Sequence, residues 1–489
     1  MLPVTAHTLA ACGERLPVPT YDRSRVRAGV VHVGVGAFHR AHLAMYHDRL
    51  MAQGAGMDWG ICGVGVMPAD RLMKDALAAQ DGLYTLVLKH ADGNYEPRIL
   101  GAIVDYLFAP DDPEAVVRKM AEPAIRIVSL TVTEGGYNID NLTGLFRADN
   151  PDVAHDVAAP AGFRTIFGLI TDALRRRRAD GIPAFTVMSC DNLPGNGRLA
   201  RTAFTAFARL RDPDLAGWME REVSFVNSMV DRIAPVTVDA DREALRRRYA
   251  VDDQWPVVAE PFTQWVLEDD FSAGRPPYED VGVQVVADVE PYELMKLRLL
   301  NAGHQAMAYF GHLVGYRLVH EAAHDPMIRA FLAGYMDEEA TPTLAPVPGV
   351  DLDEYKRTLV ERFANPEIRD TIARLCADTS ERIPKWVLPV IRERLAGGGE
   401  VRRAAAVVAS WARYAEAVDE QGQAIDVVDP LRESLTAIAA RQRADPLAFI
   451  ANRTLFGDLV DDERFVQPYR WALDSLHRVG ARATLAALA

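Results

Sequence analysis

At 489 residues the chain exceeds the length at which one hydrophobic core stops growing, so two or three domains are expected. Its 49% apolar and 25% charged residues exclude a disordered or collagen-like chain. With 54 Lys and Arg against 68 Asp and Glu, the net charge of -14 argues against nucleic acid or an anionic membrane surface as a partner.

The N-terminal stretch MLPVTAHTLAACGERLPVP lacks a basic segment followed by a long apolar core, and no apolar run reaches the roughly 18 residues of a membrane span. Cys12, Cys62, Cys190 and Cys376 form no CxxC pair and have no zinc-like spacing to histidine. A cytoplasmic protein in a reducing compartment, with no structural metal, is expected.

The first elements alternate. GVVHVGVGAF, Gly29 to Phe38, reads as a strand ending in glycines, RAHLAMYHDRLMAQ as an amphipathic helix, and DWGICGVGV, Asp58 to Val66, as a second strand. In this βαβ unit Gly34 and Gly36 fall where strand hands over to helix, the place where a dinucleotide pyrophosphate needs close backbone approach. His39 stands where the third glycine of GxGxxG would be. After the second strand comes Asp70, which suits the adenosine ribose hydroxyls and would repel a 2′-phosphate, favouring NAD over NADP. Asp70 also suits a cap on the helix beginning near Arg71, and the two roles can coexist.

Further strands are expected at Tyr84 to His90, Ala124 to Glu134, Ala184 to Cys190 and Glu222 to Val230, several of them separated by helical text. Such alternation implies a mainly parallel sheet with ligands outside the carboxyl ends of its strands. Asp191 and Asn192 follow one strand, and Asp231 and Arg232 follow another. Asn192 and, later in the chain, Asn301 could together donate to an oxygen on which negative charge develops, although taken singly each reads more readily as a turn or cap residue. The run Arg175 to Arg178 reads as a solvated helix end stabilised by the dipole.

After about residue 285 the β-branched runs give way to helical stretches such as DLDEYKRTLVERFANP and EVRRAAAVVASWARYAEAVD. The expected fold is therefore α/β: a Rossmann-like, mainly parallel sheet domain over 1–285, then a mostly α-helical domain over 286–489. One stretch of that second half, Pro291 to His312, is apolar nearly all round yet carries Glu293, Lys296, Asn301 and His304. At about 100° per residue these four share an arc of roughly 140°. A buried lysine is pushed towards its neutral form and can then act as a general base. Snorkelling to the surface, or pairing with Glu293, is the alternative.

The pattern Lys296-x4-Asn301-x2-His304, with GVGAFHRAH, TVTEGGY, SCDNLPGNG and FVNSMVDRI, resembles the polyol-specific long-chain dehydrogenases over nearly the whole chain. The resemblance implies metal-independent, NAD-dependent oxidation of a polyol secondary alcohol to a ketose, D-mannitol to D-fructose in the reversible form. It implies Lys296 as the base, Asn192 and Asn301 as the pair holding the reacting oxygen, and Glu293 as the gate for proton exchange with water. His304, Asp231 and Arg374 are implied substrate-hydroxyl contacts, with Arg382 or, three residues on, Lys385 as a further one. Gly34, Gly36, Phe38, Asp70 and Thr133 are the implied cofactor-binding positions, and the resemblance leans to a monomer. D-arabinitol or D-sorbitol dehydrogenases and hexuronate reductases such as fructuronate reductase are the neighbouring activities. A non-catalytic NAD-binding sensor would have no reason to keep Lys296, Asn192 and Asn301 together.

Overall fold

The computed structural model describes residues 1–140, 143–159 and 161–488. The chain forms two compact units, Met1–Val289 and Glu290–Ala489.

The first unit is built on a six-stranded sheet of β1 (Ala28–Val33), β2 (Gly60–Gly65), β3 (Ile103–Phe108), β4 (Ile127–Leu130), β5 (Thr186–Ser189) and β6 (Phe225–Val226). The strands lie in the order β3-β2-β1-β4-β5-β6, and every pairing is parallel. This is the doubly wound order whose crevice at the strand reversal, between β1 and β4, receives a dinucleotide. The inner strands are buried along nearly their whole length, as a sheet covered on both faces requires. Val116, Met120, Ile170 and Phe204 supply part of the apolar cover on one side. Tyr46, Leu50, Trp265 and Tyr278 belong to the core on the other.

Three expectations are corrected here. Tyr84–Lys89 is a strand but lies outside the parallel sheet, pairing parallel with Val257–Ala259 and antiparallel with Tyr95–Leu100. The edge position belongs to β3, which the sequence reading passed over because its polar Asp105 interrupts the apolar run. The run expected as one strand over Glu222 to Val230 is two, β6 and Ser228–Asp231, in different sheets. Asn227 divides them: its side-chain Oδ1 accepts from the Gly197 N–H at 2.9 Å and its side-chain amide donates to Glu268 at 2.9 Å. Finally, the arginine run is not simply solvated. Arg176 pairs with Glu114 at 2.6 Å, and Arg177 is 1% exposed, donating to the carbonyls of Glu122 and Ile125. Carbonyls just past the end of helix Pro113–Ala121 provide that cation with acceptors.

The second unit is helical. Helix Ala302–Val314 is buried through Met307, Tyr309, Phe310 and Leu313 and packs on Arg402–Tyr414, which packs in turn on Glu463–Ala486. No described helix is long and apolar enough to cross a membrane, and all four cysteines are buried and unbridged.

The long helix expected over Pro291 to His312 is interrupted. An α-helical turn, Glu290–Met295, leads into a π-helical segment, Lys296–Asn301, before the α-helix resumes at Ala302. The Ala302 N–H reaches back five residues to the Leu297 carbonyl. Arg298 anchors the segment: its guanidinium holds Glu393 bidentately at 2.6 and 2.7 Å and donates to the Thr343 carbonyl at 2.5 Å.

Candidate active site

The dinucleotide half is organised by the turn after β1. Gly34 has a φ of 91°, and a Cβ there would lie 2.1 Å from the Thr131 carbonyl oxygen, so both conformation and space demand glycine. Gly36 is different: a Cβ there would meet nothing closer than 4.0 Å, which leaves its face open. Helix Ala37–Ala41 starts from Gly36 with no side-chain cap, so its first-turn N–H groups suit a phosphate. Phe38, partly buried, stacks on His42 with ring centroids 4.8 Å apart.

His39, in the place of the third glycine, is 1% exposed and stacks on His32 at 3.5 Å. His32 bonds Ser129 Oγ at 2.8 Å and Thr131 Oγ1 at 3.0 Å, which ties β1 to β4 directly beneath the turn. Burial drives both imidazoles towards the neutral form, His32 down to about 3 and His39 well below its usual value.

At the end of β2, Asp70 Oδ2 accepts the N–H groups of Val66 at 2.9 Å and Met67 at 2.8 Å. It makes no side-chain cap on helix Arg71–Ala79, so of its two sequence readings the cap is absent. The carboxylate is instead pinned to its own strand end. The glycine turn, the uncapped helix start and this carboxylate together fit an NAD.

The hub of the next two loops is a residue that the sequence placed after a strand without revealing this role. Asp191, 8% exposed, accepts from the N–H of Val132 at 3.1 Å, the N–H of Thr133 at 2.8 Å and the Tyr137 hydroxyl at 2.6 Å. Burial raises its carboxyl above the usual range against the pull of those three donors. Thr133, a β-branched residue, is thereby held at a φ of 63°. Asn192, next in sequence to Asp191, is exposed. Asn196 braces the same loop, its amide donating to the Asp191 carbonyl at 2.9 Å and the Ser228 carbonyl at 2.8 Å. Asp231 ends the strand Ser228–Asp231 and is 4% exposed.

The helical half centres on the π segment. Glu293, Lys296, Asn301 and His304 are all buried, so Lys296 does not snorkel out. On an ideal α-helix Lys296 and Asn301 would stand about 140° apart, whereas the wider turn of a helix closed i to i+5 brings residues five apart much closer to one side. The segment spans those two residues. Asn301 Oδ1 is buried with no hydrogen-bond partner among the described residues. His304 stacks on Phe363 at 4.1 Å.

Arg374 grips Asp370 with both arms, Nε to Oδ1 at 2.6 Å and Nη2 to Oδ2. Burial pushes the Asp370 carboxyl up, but hydrogen bonds and charge from Arg374, with His304 adding to them, hold it below the usual range. Asp370 therefore links two residues singled out by sequence, and it was missed. Its spacing, four residues before Arg374, was the available signal. Arg382 donates to the carbonyls of Arg374 at 3.0 Å and Leu375 at 3.3 Å.

Comparison with known proteins adds an independent line. The mannitol dehydrogenase Rossmann domain matches residues 28–280, and the mannitol dehydrogenase C-terminal domain matches residues 288–477. The mannitol 2-dehydrogenase of Aspergillus fumigatus is 47% identical over 97% of this chain and 96% of its own. Among solved structures, the Pseudomonas fluorescens mannitol 2-dehydrogenase in ternary complex with NAD and D-mannitol is 46% identical, with a TM-score of 0.92 over 100% of this chain and 99% of that one. A D-sorbitol dehydrogenase in substrate-free form is 38% identical, with a TM-score of 0.91 over 99% of this chain and 100% of that one.

Proposed function

The chain belongs to the mannitol dehydrogenase family, and from that premise we propose that it catalyses the reversible, NAD-dependent oxidation of D-mannitol to D-fructose. The observation that carries this reading is the 46% identity, over the full chain, to the Pseudomonas fluorescens mannitol 2-dehydrogenase solved with NAD and D-mannitol.

Bound NAD supplies the hydride acceptor. In the proposed reaction neutral Lys296 takes the hydroxyl proton as the carbon–hydrogen bond breaks, and returns it when the ketose is reduced. Asn301 donates through its amide to the oxygen as negative charge develops, with Asn192 as a second donor. Glu293, one helical turn before the lysine, relays the proton between Lys296 and water. His304, Asp231 and Arg374 hold the remaining hydroxyls, with Arg382 or Lys385 as a further contact, and Arg382 also braces the Arg374 segment through its two carbonyl bonds.

The Arg374–Asp370 pair bears on substrate class. A guanidinium already satisfied by a buried carboxylate is a good partner for a neutral hydroxyl and a poor one for a substrate carboxylate, which favours a polyol over a hexuronate. D-sorbitol is the second reading, supported by the likeness to the D-sorbitol dehydrogenase. A cytoplasmic monomer is part of the same proposal, and the unbridged cysteines are in keeping with a reducing compartment.

The test is a panel of D-mannitol, D-sorbitol and D-arabinitol with NAD and NADP, and of fructose and fructuronate with NADH. Highest kcat/KM on D-mannitol with NAD is the expected result. Faster turnover of fructuronate than of fructose would overturn the reading.

A further inference from the structure

Asp70 explains why a 2′-phosphate is repelled, but not what keeps the cations next to it from attracting one. Arg71 follows Asp70 directly and Lys74 lies one turn on, so both stand where an enzyme using NADP would hold positive charge. Neither points freely into solvent. Asp111, in the loop after β3, accepts from Lys74 Nζ at 2.7 Å and from both arms of Arg71, one of them at 3.3 Å.

Other groups keep the three residues together. The Arg71 guanidinium lies 4.7 Å and the Lys74 ammonium 5.6 Å from the centre of the Phe108 ring, at the end of β3. The two loops are joined by the Ala109 N–H, which donates to the Gly65 carbonyl at 2.9 Å. Asp75 adds a weaker attraction on Arg71. The side chains are 33–51% exposed, so the clamp is a matter of orientation and charge balance rather than of fold stability.

We propose that Asp111 is a second determinant of the preference for NAD over NADP: it neutralises Arg71 and Lys74 and holds them off the 2′ position, so that Asp70 is not the only barrier. This inference rests on the NAD-dependent reading above. Removing Asp70 alone then leaves a site without repulsion but also without a cation for the phosphate.

The experiment is a fluorescence titration of the intact chain with NADH and with NADPH, without polyol, for wild type, Asp70→Ser, Asp111→Asn and the double variant. In the Asp70→Ser background, Asp111→Asn is expected to tighten NADPH about fivefold, the equivalent of one released ion pair, while NADH affinity stays within about twofold. Adding Lys74→Gln and Arg71→Gln to the double variant should abolish the gain. The proposal is overturned if Asp111→Asn leaves NADPH affinity unchanged in that background, if it alters NADH and NADPH affinity equally, or if the gain survives loss of both cations. Failure of wild type to bind either nucleotide would instead contradict the NAD reading itself. Thermal melting of each variant separates these outcomes from unfolding.

Discussion

Thr133 holds a backbone φ of 63° because its N–H is tied to Asp191 Oδ1 at 2.8 Å. Strain in that region costs about 1–3 kcal/mol for a residue of this kind. Each hydrogen bond to a buried charged acceptor returns about 1.5–3 kcal/mol, and Asp191 accepts three from the 132–137 segment, so the acceptor outweighs the strain.

Replacing that acceptor tests the relationship. Asp191→Asn turns one oxygen into an amide that faces donors, and a loss of about 2–4 kcal/mol in unfolding free energy is expected from denaturant titration. If Thr133 in this segment contacts the cofactor, as the family resemblance implies, NADH affinity should weaken about tenfold in the same variant, a change of about 1.4 kcal/mol. Thr133→Gly, which relieves the φ strain, should leave stability unchanged or raise it.

The stacked pair His32–His39 predicts an acid weakness. Both imidazoles are pushed down by burial, and His39 is also faced by His32, His47, Arg40 and His42. The unfolded chain takes up a proton near pH 6.5 and the folded one does not, so stability falls as pH drops below that value, by about 1.4 kcal/mol per pH unit for each group. Both ring nitrogens of His39 are buried without hydrogen-bond partners among the described residues. His39→Phe keeps the stack without the proton site, so its advantage over wild type should widen between about pH 6.5 and about pH 4.5 in thermal melts.

Asp370 is predicted to position Arg374 and His304 for substrate hydroxyls. Asp370→Asn leaves the bidentate grip on Arg374 half-made. KM for D-mannitol is expected to rise about tenfold or more, with kcat reduced less and NADH affinity unchanged. Equal loss in kcat and NADH affinity would point to general damage instead.

What the sequence disclosed followed from how local each signal was. The strand, glycine turn and helix around Gly34 are encoded within about ten residues, where periodicity and glycine placement suffice. The change to helical texture near residue 285 was also readable, because β-branched runs stop there. Sheet membership was not: Tyr84–Lys89 looks like any other strand, and only its non-local pairing with Val257–Ala259 removes it from the parallel sheet. Asp191 was visible as a polar residue after a strand, but its role depends on donors 54 to 59 residues earlier.

The π segment shows a different limit. A wheel drawn at about 100° per residue assumes an unbroken α-helix and spreads Lys296 and Asn301 over the full arc of roughly 140°. The wider turn brings them closer to one side, and the side chain that secures it, Arg298, reaches partners at Thr343 and Glu393 far along the chain. Local propensity does not report such an anchor.

Turnover of Lys296→Ala on D-mannitol with NAD tests the central claim most directly. If Lys296 is the base, kcat falls about 100- to 10,000-fold at every pH from about 6 to about 10, while NADH binds as tightly as to wild type. A variant that retains near-wild-type kcat across that range would contradict the account.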